Sequence, residues 1–72
     1  MDAIDKNRIC EFLMGINPNS ATVMDVFLAL QAYGSNATKR QIYGYLEYES
    51  KRNIPIIWKE VVDGRCQYYI DE

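Results

Sequence analysis

The hydrophobic pattern of this chain changes its period at Asn53-Ile54-Pro55, and this change limits the folds that the chain can adopt. Before this segment apolar residues recur at helical spacing, whereas after it β-branched and aromatic residues follow one another. The residue before a proline avoids the helical region of backbone space, so a helix should end here. The sequence therefore predicts helices followed by strands, which is an α+β fold.

Three helices are predicted before this segment, over residues 3–14, from residue 22 to a break at 33–36, and from residue 38 to 51 or 52. Asp2 can cap the first helix, and Gly15 has the conformational freedom needed at its end. Thr22 and Thr38 are each followed three residues later by Asp or Gln, which is the spacing of a capping box.

Each helix carries an apolar stripe that should face a shared core. The stripes are Ile9, Phe12, Leu13 and Ile16; then Val23, Val26, Phe27 and Leu30, widened by Met24 and Leu28; then Ile42, Tyr45 and Leu46. The breadth of the second stripe predicts a helix held between two neighbours.

Residues 56–62 and 65–70 flank Asp63-Gly64, the strongest short-range signal for a β-hairpin. A two-residue turn sets Ile57 opposite Ile70 and Lys59 opposite Tyr68. The face expected to point inward consists of Ile57, Val61, Cys66, Tyr68 and Ile70. The opposite face consists of Trp58, Glu60, Gln67 and Tyr69.

The length and charge of the chain limit the functions that it can have. Its 72 residues predict a single domain over residues 1–72. The net charge of −2 argues against coating of nucleic acid by the whole surface. The distribution is uneven, because residues 1–36 hold two cations and four carboxylates, whereas residues 38–65 hold six cations and four carboxylates. One face could therefore meet phosphates while another meets water.

The chain has few residues suited to catalysis. It contains no histidine, and Cys10 and Cys66 do not have metal-ligand spacing. We therefore expect no enzyme activity, no metal, no cofactor and no small-molecule substrate. A single distant cysteine pair favours free thiols, both of them in the core, and a cytoplasmic location. The charged N-terminus and short apolar runs predict neither a signal peptide nor a membrane span.

The order of three helices and a hairpin, with the Thr38-led third helix, the Asp63-Gly64 turn and Tyr68 and Ile70 on the closing strand, resembles the winged helix-turn-helix family. The resemblance covers Ile9 to Ile70 and implies sequence-specific binding of duplex DNA by a small transcriptional regulator. The third helix would enter the major groove. The hairpin, called the wing, would reach phosphate or the minor groove.

The candidate DNA-binding residues are Lys39, Arg40, Gln41, Tyr43 and Arg65. Lys39 and Arg40 lie in the first helical turn, where cations oppose the helix dipole, so a functional reason is indicated. Gln41 could bind adenine or serve only as the cap partner of Thr38. Tyr43 could contact phosphate or a thymine methyl, or be an ordinary exposed aromatic. Arg65, beside the wing tip, is the phosphate candidate.

Several features leave alternatives open. Gly44 could permit close approach of DNA or of the second helix. Glu49 interrupts the inward stripe, so we expect it to tilt to solvent with Tyr45 or Tyr48 filling the space. Trp58 and Tyr69 could form a partner interface or pack on the first helix. A chain this short needs a homodimer or partner protein for high specificity. The rival function is a winged-helix module that binds protein through aromatic residues.

Overall fold

The computed structural model describes residues 1–71 and confirms the predicted α+β fold. The elements are α1 (Ala3–Ile16), α2 (Val23–Ala32), α3 (Lys39–Ser50), β1 (Ile57–Val62) and β2 (Arg65–Ile70). Helix α2 packs against both α1 and α3, α3 packs against β1, and α1 packs against β2. This order of three helices and an antiparallel hairpin is the topology of a winged helix-turn-helix. No helix within residues 1–71 is long and apolar enough to cross a bilayer.

The helices begin at the predicted caps. The Asp2 carboxylate accepts a backbone N–H three residues later, at 2.9 Å. Thr22 and Asp25 form a reciprocal capping box with bonds of 3.2 and 3.0 Å, and Thr38 and Gln41 form a second with bonds of 3.1 and 2.9 Å. Each box satisfies two backbone donors that a helix start otherwise leaves without a partner.

Helix α1 extends two residues beyond its predicted end. Gly15 lies inside the helix, and the N–H of Asn17 closes the last turn on the carbonyl of Met14 at 3.3 Å. Ile16 therefore continues the apolar stripe as a half-buried helical residue. The prediction that Gly15 terminates the helix is wrong, because the chain turns only where Pro18 follows.

The segment between α2 and α3 is anchored to α1. Gly34 has φ +80, and the Ser35 N–H donates to the Leu30 carbonyl at 3.1 Å, which closes α2 with a left-handed glycine. The Ser35 hydroxyl then donates to Asp5 at 2.7 Å and accepts from the Ala37 N–H at 3.1 Å. These bonds hold the turn, and with it the start of α3, at a fixed place on the three-helix body.

The wing has the predicted register along its whole length, from Ile57 opposite Ile70 to the turn. Asp63 and Gly64 have φ values of 51 and 77, as a type I′ turn requires. A third segment, which the sequence did not indicate, joins the sheet. Ala21 pairs with Tyr68 through two backbone hydrogen bonds of 2.9 and 2.7 Å. A bridge one residue long has no periodicity, so no pattern predicts it.

The described residues share one hydrophobic core, drawn from all five elements and the loops between them. Its members are Ile9, Leu13, Ala21, Val26, Leu30, Ala37, Ile42, Leu46, Ile57, Tyr68 and Ile70. Phe12, Ile16, Val23, Phe27 and Tyr45 are half-buried at its margin. The predicted stripes thus supply the core, although Phe27 is less enclosed than its spacing suggests.

Two groups of residues predicted to face inward are exposed instead. Met24 and Leu28 are 45% and 54% exposed, because α2 has neighbours on two sides while its outer surface meets solvent. Val61 is 67% exposed and Cys66 is also exposed. Both residues lie on the same face of the hairpin as Ile57 and Ile70, as predicted. The tip of the wing, however, extends beyond the helices that bury Ile57 and Ile70. Cys66 is therefore not a core thiol.

Candidate nucleic-acid interface

Helix α3 has a buried side and an outward side, as the capping and spacing of its residues predict. Ile42 and Leu46 are fully buried. The outward side begins with Lys39 and Arg40, which are both exposed, and continues with Tyr43, which is 51% exposed. The first two turns of α3 therefore present cationic and hydrogen-bonding groups to solvent.

Most cations of the chain already have a partner inside the molecule. Lys51 and Lys59 pair with Glu47, and Arg52 pairs with Glu49. Three others lie over aromatic rings, at 4.7 to 5.8 Å from the ring centroids: Lys6 over Tyr45, Arg8 over Tyr33 and Lys39 over Phe27.

Arg40 and Arg65 have no such partner. Within residues 1–71 neither guanidinium forms an ion pair, a hydrogen bond or a contact with an aromatic ring. Arg40 lies on α3 and Arg65 lies directly after the wing tip, and both are exposed. These two positive charges are available to an external anion without breaking a contact of the folded chain.

A polar cluster connects α3 to the wing; we call Glu47, Lys51, Lys59 and Tyr68 the Glu47 cluster. The buried Tyr68 hydroxyl donates to the Glu47 carboxylate at 2.7 Å, and the Lys59 ammonium donates to it at 3.2 Å. The Lys51 ammonium lies 3.5 Å from the same carboxylate. Glu47 therefore brings no uncompensated negative charge to the outward side of α3.

The protonation of the cluster follows from these contacts. The Tyr68 hydrogen bond, with help from Lys59, holds the pKa of Glu47 below its ordinary value. Hydrogen bonding to the same carboxylate raises the pKa of Lys59. Burial, and then the bond to Glu47, raises the pKa of Tyr68. At neutral pH Glu47 is therefore an ionised carboxylate, Lys59 is charged, and Tyr68 is a neutral phenol that donates its proton to the hydrogen bond.

Glu49 is buried, contrary to the expectation that it tilts to solvent. It is only 7% exposed, and Arg52 covers its carboxylate at 3.3 Å. Tyr48 does not fill the space, since it is 67% exposed. Tyr45 is half-buried, its hydroxyl lies 3.8 Å from the thiol of Cys10, and burial raises its pKa. The inward stripe of α3 thus ends in a buried carboxylate, covered by an arginine whose side chain is half exposed, rather than in a leucine.

Gly44 has open space where a side chain would be. It is exposed, and among residues 1–71 no atom of another element lies within 4 Å of the position of a Cβ atom. Close approach of α2 is therefore excluded as its reason. A helical glycine costs about 1 kcal/mol relative to alanine, and no contact within the molecule offsets this cost.

The remaining candidate residues differ in how far their side chains are already engaged within the molecule. The Gln41 side-chain oxygen accepts the Thr38 N–H, so the cap role is present and only the amide nitrogen is left for another partner. On the wing, Trp58 stands opposite Tyr69 as predicted, on the face turned away from the core. Trp58 is 41% exposed and Tyr69 is half-buried.

Sequence reasoning missed the contributions of Lys59 and Glu47. The hairpin register sets Lys59 opposite Tyr68, but nothing in the sequence relates this pair to a residue of α3. The two cysteines are free, with Cys10 half-buried and Cys66 exposed. Within residues 1–71 no group of three or more Cys, Asp or Glu side chains is placed to hold a metal ion.

Comparisons of the chain with protein-family models, with curated proteins and with solved structures found no match. A function must therefore be argued from the geometry of this chain.

Proposed function

We propose that this protein is a member of the winged helix-turn-helix family that binds duplex DNA at a preferred sequence and regulates transcription. Helix α3 enters the major groove and the wing contacts phosphate or the minor groove. The observation that carries the proposal is the freedom of Arg40 and Arg65. They lie on the two elements that such a protein applies to DNA, and the other side-chain cations of the described residues have internal partners.

The roles follow from position and chemistry. Arg40, in the first turn of α3, can bind guanine O6 and N7 with its two parallel N–H groups. Lys39 can leave the Phe27 ring for a phosphate, because an exposed cation–π contact contributes only about 0.5–1 kcal/mol. Tyr43 and the free amide nitrogen of Gln41 lie beside it as further hydrogen-bonding groups. Arg65 contacts the backbone from the wing.

The acidic net charge is compatible with this role because the carboxylates of α3 are paired with cations and two others lie at the positive ends of helix dipoles. Glu47 and Glu49 are paired with cations. Asp2 and Asp25 accept backbone N–H groups as helix caps. The two exposed acids nearest to the wing tip are Glu60 and Asp63. They are the charges that most oppose the contact of Arg65.

A domain of this size makes too few base contacts for high specificity, so we propose that it acts as a homodimer or with a partner protein. The exposed face of the wing around Trp58 and Tyr69 is the surface we assign to that contact. We place the protein in the cytoplasm, where free thiols persist, and assign it no catalytic activity and no cofactor.

Salt-dependent binding tests the proposal. A pool of random duplexes is enriched by repeated binding, and the affinities of the enriched and of scrambled duplexes are measured by fluorescence anisotropy between roughly 50 and 200 mM salt. We expect tighter binding of the enriched duplex and a clear loss of affinity with salt. The folded double variant Lys39→Ala, Arg40→Ala should bind only at background level.

Two results would contradict the proposal: wild-type protein with no salt-dependent binding, or a double variant that binds as well as wild type. Either would favour the protein-binding module, which the exposed Trp58 and Tyr48 support as the second candidate.

A further inference from the structure

We propose that Gly44 is the point at which α3 comes closest to the floor of the DNA major groove, so that this glycine determines affinity for the preferred sequence. The inference rests on the proposed DNA binding and deepens it. It names the part of the DNA, the base edges, that meets the middle of α3.

The first step is that nothing inside the molecule requires a glycine at this position. Gly44 lies within a regular helix, and its φ is not in the left-handed region, unlike that of Gly34 or Gly64. In the part of the chain that the structure describes, a Cβ atom at this position would meet no atom of another element within 4 Å. A contact outside the folded chain remains as the reason for a residue that weakens the helix.

The second step is the place of Gly44 on α3. Arg40 lies one helical turn before it and Tyr48 one turn after it, so the three residues follow one line along the outward side. All three are exposed. The line therefore has a long side chain at each end and bare backbone in the middle.

The third step is that the neighbouring side chain of Glu47 does not cover this bare region. Its carboxylate is directed to the wing, where Tyr68 and Lys59 hold it at 2.7 and 3.2 Å. Tyr43, the other neighbour, precedes Gly44 directly and lies one helical turn before Glu47, so it shares the side of α3 from which Glu47 bonds the wing. The backbone at Gly44 is thus open to a surface that approaches perpendicular to the axis of α3.

The fourth step identifies that surface. The major groove is about 12 Å wide, and a helix with its side chains is about 10–12 Å across, so a helix fills the groove closely. A missing side chain on the contact line lets the helix axis move toward the base edges. Arg40 would then reach guanine, whereas a methyl group at position 44 would hold the helix away from the floor.

A matched control exists in α1. Gly15 is also a helical, exposed glycine with no atom of another element within 4 Å of its Cβ position. It lies near the end of α1, an element that the proposal keeps away from DNA. Gly15→Ala and Gly44→Ala therefore make the same chemical change on two helices, only one of which would touch the groove.

The experiment measures thermal unfolding and DNA affinity of wild type, Gly44→Ala, Gly44→Leu and Gly15→Ala. We expect both alanine variants to melt at or above the wild-type temperature. Gly44→Ala should bind the enriched duplex about tenfold more weakly and Gly44→Leu more than a hundredfold, whereas Gly15→Ala should bind as wild type. Binding of scrambled duplexes at low salt should change less, because the long cationic side chains reach phosphates without close approach.

The outcomes separate this inference from the proposed function. If wild type binds the enriched duplex and Gly44→Ala and Gly44→Leu bind it within twofold of wild type, the assignment of Gly44 is wrong and the DNA-binding proposal stands. If wild type binds no duplex, both are wrong. If Gly44→Ala unfolds, the glycine serves the folded chain itself and the inference is likewise overturned.

Discussion

Replacing Tyr68 with phenylalanine removes one oxygen atom from the connection between α3 and the wing and leaves the ring in place. That oxygen donates to the ionised carboxylate of Glu47 at 2.7 Å, and the Tyr68 side chain is fully buried. A hydrogen bond to a charged group contributes about 1.5–3 kcal/mol to stability. We therefore expect Tyr68→Phe to lower the free energy of unfolding by about 1.5–3 kcal/mol at neutral pH.

The neighbouring tyrosine supplies the control. Tyr69 is half-buried on the opposite face of β2, and its hydroxyl makes no hydrogen bond within residues 1–71. Tyr69→Phe should therefore change stability by less than about 0.5 kcal/mol. Urea unfolding followed by circular dichroism measures both variants. In thermal unfolding, a domain of this size changes its melting temperature by about 4–8 °C for each kcal/mol of stability, so the losses of Tyr68→Phe and Tyr69→Phe are easily distinguished.

The effect of Tyr68→Phe should depend on pH. The bond lowers the pKa of Glu47 in the folded protein, so its contribution is complete above the unfolded pKa of Glu47 and is lost as the pH falls through the lowered folded value. Tyr68→Phe and wild type should therefore become more alike in stability under acid. Equal losses for Tyr68→Phe and Tyr69→Phe, or a Tyr68→Phe loss that persists unchanged at acid pH, would refute the assignment of the Glu47 cluster.

Three further predictions concern DNA binding, the core and the ion pair of Glu49 with Arg52. Arg40→Ala should weaken binding to the enriched duplex by about 1–3 kcal/mol and binding to scrambled DNA only slightly, as measured by anisotropy. Arg65→Ala should weaken binding to both duplexes and lower the slope of log affinity against log salt concentration by about one. Leu46→Ala should destabilise the fold by about 2–5 kcal/mol in urea unfolding; unchanged stability would mean that the inward face of α3 is misassigned. Glu49→Met should leave the stability of the fold unchanged or raise it. Arg52→Ala should lower it by about 1 kcal/mol, because a buried carboxylate loses its partner. A Glu49→Met variant that melts below Arg52→Ala would contradict this account.

Local chemistry made most of the fold predictable from the sequence. The capping pairs at Thr22 and Thr38 mark helix starts because their bonds join residues three apart. Asp63-Gly64 fixes the hairpin because few residues tolerate both positive φ values of its turn. Each of these signals is contained in a few consecutive residues, and the structure confirms each of them.

What could not be predicted depends on distances between elements. Alternation assigns Val61 and Cys66 to the inward face, but only the lengths of the helices determine where that face stops being covered. Glu49 is at an inward position by spacing, and its burial depends on Arg52 folding back over it. The Glu47 cluster combines residues from α3, β1 and β2, so no single stretch of sequence contains its pattern.

The bridge between Ala21 and Tyr68 has a consequence for the rate at which the proposed binding to DNA would occur. Tyr68 bonds the segment before α2 through its backbone and α3 through its hydroxyl, so one residue of the wing is joined to two separate parts of the three-helix body. The part of the wing beside the helices is therefore held in place before any contact with DNA, so little conformational entropy would be lost there on binding. Association with DNA would then be limited by diffusion and by the orientation of a preformed surface, and not by the slower folding of a flexible arm onto the duplex.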